Sequence, residues 1–495
     1  MHHLFIDLET FSDIDIGKAG LYKYAQSPAF RVLLFGYSLD GAPVQVVDLT
    51  QPGAYLPQEV LRWLFDRDCV KHAYNAAFEW YCLSRHFKLA EDEQHNGFSA
   101  ITWLPQWRCS MLHGMYAGYP AGLDATGRAL GLPEDKQKLA AGRALIRYFC
   151  VPCSPTKSNG GRTRNLPQHE PERWELFKTY NGQDVVAEME IDRRLARVVV
   201  PEAVQRQWEL DQLINLRGVA VDMTLADGAI YLGETVKDQL LEDARQISGL
   251  ENPNSVAQLT KWLQEETGED LTDLRKDTVT DLLGKELPSE DARRMLEIRK
   301  ELGKTSTKKY NAVETCVCAD NRIRGLLQFY GANRTGREAG RLVQVQNLPH
   351  DVVPATSAAR ELVRCRNLDA LRLIYGSVTS TLSALIRTVF VAAPGMSFID
   401  ADFSAIEARV IAWLAGEEWV LEVFRTHGKI YEATASQMFS VPMEKIKKGN
   451  PEYAYRAKGK VATLALGYQG SSGALINMGA LRSGLTEDEL PDIVN

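Results

Sequence analysis

Long apolar runs are missing from this 495-residue sequence. The longest uncharged stretch, 461–481, is broken by glycines, serines, Gln469 and Asn477, which a membrane-spanning helix disfavours, so no membrane association is expected. Cysteine is sparse: eight residues, with close pairs only at Cys150/Cys153 and Cys316/Cys318. The chain opens on MHHLFIDLET and not on a secretory leader, so free thiols in a reducing cytoplasm are expected. A zinc site at CVPC would need a second ligand pair at suitable spacing, and none stands out. An excess of positive charge is lacking too. The net charge is −7, so the total does not advertise a nucleic-acid binder, although the local field matters more than the sum. Internal repeats and disordered tracts are not found.

What is present is a long chain of ordinary globular composition, enough for roughly three domains. Strand signals in HHLFIDLET, RVLLFGYSL and VQVVDL precede a helical stretch at 58–66 and a strand at 69–73, the alternation of an α/β domain. A loop rich in Pro, Ser, Asn and Gly covers 152–167. A long helix follows with Pro171 in its first turn and continues to about 200, where Pro201 marks a boundary. Residues 202–320 read as mostly helical. Strand signals return at 326–330 and 388–401, and helix pattern dominates from there on.

Acidic residues recur at chosen spacings. FIDLET puts Asp7 and Glu9 on one face of a strand, a ligand pair for a hard divalent cation. In KHAYNAAFEW, Asn75 is placed to cap a helix that carries Glu79. In YNGQDVVAEM, Tyr180 and Asp184 share a helix face, and Gly182 between them costs that helix about 1 kcal/mol against alanine, which suggests a close approach. Later, SFIDADFSAIEARVIAWL carries Asp400 and Asp402 on an apolar strand and Glu407 on the helix after it. In YRAKGKVATLALGYQG, Arg456, Lys460, Leu464 and Tyr468 are spaced by four on one broad helix face, and Lys458 points to solvent. Two cations one turn apart suit an anion such as a triphosphate. Lysines and arginines cluster at 293–309 and 322–341, a local basic surface on an acidic chain. GKT at 303–305 is no Walker A loop, because Ile298 stands where its upstream glycine would be.

These segments, in this order, resemble family A DNA polymerases of bacteriophage and prophage type, with no 5′-nuclease domain ahead of the 3′–5′ exonuclease. The resemblance implies an α/β exonuclease domain over 1–200, a ribonuclease H-like mixed sheet with flanking helices. An incomplete α+β right-hand polymerase domain would follow: thumb over 201–325, partial palm over 326–420, and fingers over 421–495. In the exonuclease, Asp7, Glu9, Glu79 and Asp184 would hold two Mg2+ ions, with Mn2+ as a substitute, and Tyr180 would orient the attacking water. The family commonly has aspartate where Glu79 stands. In the palm, Asp402 falls on the catalytic metal-binding aspartate and Phe403 on the carbonyl beside it. Glu407 falls on the residue that excludes a ribose 2′-hydroxyl. Asp400 lies outside the motif. Arg456 and Lys460 would hold the incoming triphosphate, and Tyr468 would stack at the template–primer end. Leu464 replaces a common aromatic, and Gln469 a common glycine. Lys304 and Ser306 would grip duplex phosphates from the thumb, and Arg337, Gln346 and Asn347 would meet the primer and minor groove.

The implied partners are primer-template DNA and deoxynucleoside triphosphates, in the cytoplasm of a bacterial host. The family's later His-Asp-Glu motif finds no counterpart after Tyr468, where the acids are Glu487, Asp488, Glu489 and Asp492. The expectation is therefore a chain that stops within the fingers, completed by a separate C-terminal polymerase fragment or by replisome proteins. An alternative is a metal-dependent 3′–5′ exonuclease carrying an inactive, DNA-binding polymerase body. A non-catalytic replisome scaffold is a third reading, and the exonuclease motifs argue against it.

Overall fold

Strand β1 (His2–Phe11) is the spine around which the first part of the chain is built. It pairs antiparallel with β2 (Arg31–Leu39) and parallel with β4 (Cys69–Ala73). Strand β3 (Gln45–Asp48) extends the sheet beyond β2, and β5 (Trp107–Cys109) beyond β4, giving the order β3-β2-β1-β4-β5. In this computed structural model, residues 2–89, 98–134, 137, 142–304, 308–332, 335–467 and 469–494 are described. They form two units, Met1–Met396 and Ser397–Asn495.

The central strand is covered on both faces, which is why Leu4, Phe5, Ile6, Leu8 and Phe11 are all buried. Leu4, Ile6 and Leu8 point into a core with Trp80, Trp103 and Trp107. Phe11 enters a second cluster with Phe149, Trp174, Phe177 and Tyr180, which brings in the long helix Pro171–Leu195. Two glycines set how closely that helix lies. A Cβ on Gly36 of β2 would stand 2.7 Å from Asn181 Oδ1, and one on Gly182 would stand 3.3 Å from Val46 Cγ2. The close approach expected at Gly182 is therefore that of β3.

Helix α1 (Ile16–Gln26), which follows β1, is clamped onto the helix Lys308–Cys316. Lys23 Nζ donates to the carbonyls of Thr315 at 2.8 Å and Glu314 at 3.2 Å, a cation at a helix C-terminus. In return Cys316 Sγ donates to the Lys18 carbonyl at 3.2 Å. The remainder of this unit is mainly helical. Helices Val256–Thr267, Lys276–Leu283 and Glu290–Leu302 surround a leucine-rich cluster of their own. A short sheet joins Phe390–Val391, Val219–Val221 and Arg322–Ile323, and a hairpin pairs Leu327–Ala332 with Arg337–Gly340. In the second unit, helices Ile430–Phe439 and Tyr455–Leu466 pack closely at Gly459, where a Cβ would stand 2.3 Å from the Tyr431 carbonyl oxygen.

Several expectations need correcting. The strand expected over 388–401 is only Phe390–Val391, and Asp400 and Asp402 lie in exposed, irregular chain. Phe398, Ile399 and Phe403 are 62%, 94% and 80% exposed. An extended segment needs partners for its backbone N–H and C=O groups, and among the described residues none pairs with 397–403. Asn75 does not cap a helix: it holds a left-handed φ of 74°, which its short side chain tolerates, and helix α3 (Ala77–His86) starts beyond it. The long helix ends at Leu195, short of 200. Lys458 is not simply solvated, since its ammonium sits over the Phe439 and Tyr455 rings at 5.3 and 5.7 Å. All eight cysteines are free. No described helix is long and apolar enough to cross a membrane.

Two glycines on the helix Met223–Ser248 give a paired test of this packing. A Cβ at Gly228 would stand 2.2 Å from the Val363 carbonyl oxygen, and backbone cannot yield cheaply. One at Gly233 would meet only Leu382 Cδ1, at 3.8 Å. Gly228→Ala is expected to destabilise by about 3 kcal/mol, and Gly233→Ala to stabilise by about 1 kcal/mol. Urea unfolding of the two variants reads both signs.

Candidate functional site

The odd-numbered face of β1 carries acids under the long helix. Asp7 is fixed by Asn181, whose Nδ2 donates to the Asp7 carbonyl oxygen at 3.0 Å and to Asp7 Oδ2 at 2.6 Å. Two residues on, Glu9 is buried and accepts from Cys150 Sγ at 3.7 Å. Glu79 reaches the same region from α3 and is 3% exposed, and its Oε2 has no hydrogen-bond partner among the described residues. Asp184 is buried on the long helix, one turn after Tyr180, which donates a hydrogen bond to it. Burial pushes the Glu79 carboxyl well above its ordinary range, and the charges of Asp7, Glu188 and Glu9 push the same way. The Tyr180 hydroxyl is also pushed up, first by burial and then by Asp184, Glu9 and Asp7. Three distant sequence segments thus meet in one desolvated, acidic region.

Other residues complete this region and were not anticipated. Asn181 is fully buried, and its Oδ1 finds no hydrogen-bond partner among the described residues. Glu188 is 1% exposed and accepts from Ser110 Oγ at 2.6 Å. Gly142 leaves room for the Tyr180 ring, because a Cβ there would stand 2.1 Å from Tyr180 Cε2. A signal for two of them was legible. Trp174, Phe177, Val185, Ile191 and Leu195 trace the buried stripe of the long helix, and Tyr180, Asn181, Asp184 and Glu188 interrupt it with polar groups. Polar residues at core positions mark function or cost stability.

The donor chemistry here fits a hard divalent cation: oxygen ligands from Asp7, Glu9, Glu79 and Asp184, with an unpartnered buried acceptor at Glu79. Among the described residues, no three acidic, histidine or cysteine side chains converge tightly enough to cage an ion as they stand.

The second unit gathers a different set. Asp402, Phe403, Glu407 and Leu464 line one cavity of about 670 Å3, together with Trp419 and Tyr431. Arg456 stands on the helix Tyr455–Leu466, where its Nε donates to Glu432 Oε1 at 2.9 Å and its guanidinium lies 5.3 Å from the Tyr431 ring centre. Lys460 is exposed one turn further along, and Leu464 follows on the same face. Tyr468 lies outside the described residues. Asp400 is exposed and does not line the cavity.

Of the residues expected to meet DNA, Lys304 is turned into a local network. Its Nζ donates to Glu301 Oε1 at 2.7 Å, Ser380 Oγ at 2.6 Å and Thr379 Oγ1 at 3.2 Å. It also lines a cleft of about 1060 Å3 with Arg275, Lys276, Arg299 and Lys300, against the single acid Asp351. Ser306 lies outside the described residues. Arg337 opens an exposed strand. Gln346 packs over Gly340, and Asn347 Nδ2 donates to Gln344 Oε1 at 3.0 Å. Both Gln346 and Asn347 are exposed.

The family model described as DNA polymerase family A matches residues 232–478. The DNA polymerase of Bacillus phage SP02 is 52% identical over 495 residues, which is 100% of this chain and 73% of that protein. The thermostable DNA polymerase I of Thermus thermophilus is 42% identical over 69 residues, 14% of this chain and 8% of that protein. Among solved structures, the POL domain of Pol1 from M. smegmatis, in complex with DNA primer-template and dNTP, matches with a TM-score of 0.56 at 17% identity. That match covers 100% of this chain and 73% of the other, and bears on fold.

The contact between Gly142 and Tyr180 can be checked by a double-mutant cycle. Gly142→Ala is expected to cost about 2 kcal/mol by displacing the ring. In a Tyr180→Ala background the same change should cost almost nothing, as thermal unfolding of the four proteins would report.

Proposed function

The chain belongs to DNA polymerase family A and is a DNA-directed DNA polymerase, and from that premise we propose that its first 200 residues form a 3′–5′ proofreading exonuclease. What supports a nuclease is one observation: Glu9, Glu79 and Asp184 are buried and Asp7 half-buried in one region fed by three separate segments, with Tyr180 hydrogen-bonded to Asp184. The mixed five-stranded sheet with helices packed on it supports a ribonuclease H-like fold for this part. The remaining divisions follow the family: thumb over 201–325, palm over 326–420 and fingers over 421–495.

Asp7, Glu9, Glu79 and Asp184 would hold the divalent cations, Mg2+ in the cell. Bound there, the cations would supply an activated water and charge stabilisation at the leaving oxygen. The protein's own residues do the rest. Asn181 Nδ2 donates to both the Asp7 backbone carbonyl and one oxygen of its carboxylate, which holds that carboxylate in one orientation. Tyr180 is kept protonated by burial and by neighbouring acids, so its hydroxyl remains a donor.

For polymerisation, the Asp402 cavity would take the incoming deoxynucleoside triphosphate, with Asp402 toward the cation and Glu407 where a 2′-hydroxyl would intrude. Arg456 and Lys460 supply positive charge on a neighbouring helix face. The basic cleft at Arg275, Lys276, Arg299, Lys300 and Lys304 suits duplex phosphates of a primer-template. Arg337, Gln346 and Asn347 present exposed polar groups suited to the primer and minor groove.

Degradation of a labelled primer in Mg2+ tests the nuclease assignment. Asp7→Ala and Asp184→Ala are expected to slow it at least ~1000-fold, about 4 kcal/mol of transition-state stabilisation, with duplex binding nearly unchanged. Glu79→Gln should impair it strongly and Glu79→Asp less so. Wild-type degradation by both aspartate variants would sink the assignment.

A further inference from the structure

The long helix Pro171–Leu195 carries one more buried acid than a four-carboxylate nuclease site requires. Glu188 stands one turn beyond Asp184 and is 1% exposed. Its strongest electrostatic neighbours after the Ser110 hydroxyl are Asp7, Asp192 and Asp184, and it acts in turn on Glu79. Ser110, the first residue of the helix Ser110–Tyr116, donates its hydroxyl to Glu188 Oε1 at 2.6 Å. A carboxyl this deeply buried with several acids around it is costly to ionise, and leucine would fill the same helix position at less cost. Glu79 adds an independent sign that the region is made for a ligand, because its buried Oε2 has no hydrogen-bond partner among the described residues. Glu79 and Glu188 stand on different helices, α3 and the long helix, and the charge of Asp7 acts on both.

We propose that Glu188, set by the Ser110 hydroxyl, is a positioning residue of the nuclease site that arranges Asp7 and Glu79 for a divalent cation. The proposal rests on the exonuclease assignment and deepens it. Burial and the neighbouring acids hold the Glu188 carboxyl well above its ordinary range, so its ionised form is favoured only when a cation enters, and the tether to Ser110 fixes where that carboxylate sits. Such outer partners of metal-binding side chains are worth ten- to a hundredfold in metal affinity.

The test is calorimetric titration of Mn2+ into the full chain, with Asp402→Ala as the common background so that the other acidic site is silenced. Glu188→Gln is expected to weaken Mn2+ binding at least ~10-fold, while its thermal midpoint stays level or rises because a buried acid has gone. A merely structural role would lower the midpoint and leave the affinity alone. Ser110→Ala should weaken binding about threefold or more, and it carries the test if Glu188→Gln does not fold. Asp7→Ala, run in parallel, should remove the binding. Wild-type affinity in Glu188→Gln or in a folded Ser110→Ala, with loss in Asp7→Ala, would overturn the role of Glu188 and leave the nuclease assignment standing. Wild-type affinity in Asp7→Ala as well would overturn both.

Discussion

Carboxylates held away from water beside one another are the constraint on which the first 200 residues depend. Glu9, Glu79, Asp184 and Glu188 are all buried, and the charge of Asp7 acts on Glu79, Glu188 and Tyr180. Each like charge added to such a region raises the cost of the others. The surroundings offset that cost in two ways. Large apolar residues give the sheet a deep core, with Trp80, Trp103, Trp107 and Phe35 fully buried. Single hydrogen bonds then pin individual acids: Asn181 to Asp7, Cys150 to Glu9, Tyr180 to Asp184 and Ser110 to Glu188. The glycines at 36 and 142 are the geometric counterpart, since a methyl group at either would displace Asn181 or Tyr180.

The sequence was most legible where one element carries its own pattern. The strand around Asp7 and Glu9, the strand Cys69–Ala73 and the helix bearing Tyr180 and Asp184 are all read from periodicity, because each is decided by burial on a known face. Legibility failed where partners decide. An apolar run at 397–403 looks like a strand, but strand formation needs a neighbour, and none is paired with it among the described residues. Asn75 looks like a cap, yet the turn after β4 uses its tolerance of a left-handed backbone. Lys304 looks like a free phosphate ligand, while its hydrogen bonds to Thr379 and Ser380 depend on residues 75 and 76 positions away. Asn181 and Glu188 had a signal, polar groups inside an apolar helical stripe, that only became readable once the stripe was drawn.

The second unit shows the same division between local pattern and assembly. The helix expected in YRAKGKVATLALGYQG is found as Tyr455–Leu466, with Arg456, Lys460 and Leu464 on one face. What spacing could not give is the acid that meets the arginine: Glu432, on another helix, pairs with Arg456 and orients it. Nor could it show that Asp402, Phe403, Glu407 and Leu464 border a common cavity. The chain belongs to DNA polymerase family A, and nucleotide binding is the role proposed for these pieces on that basis.

The central claim is that the carboxylates around Asp7 form a cation site. Anomalous scattering from crystals of the chain soaked in Mn2+ tests it most directly. The account predicts Mn2+ peaks within coordinating distance, about 2.2 Å, of carboxylate oxygens of Asp7 and at least one of Glu9, Glu79 and Asp184. Crystals that take up Mn2+ elsewhere but show no peak beside Asp7 would contradict it.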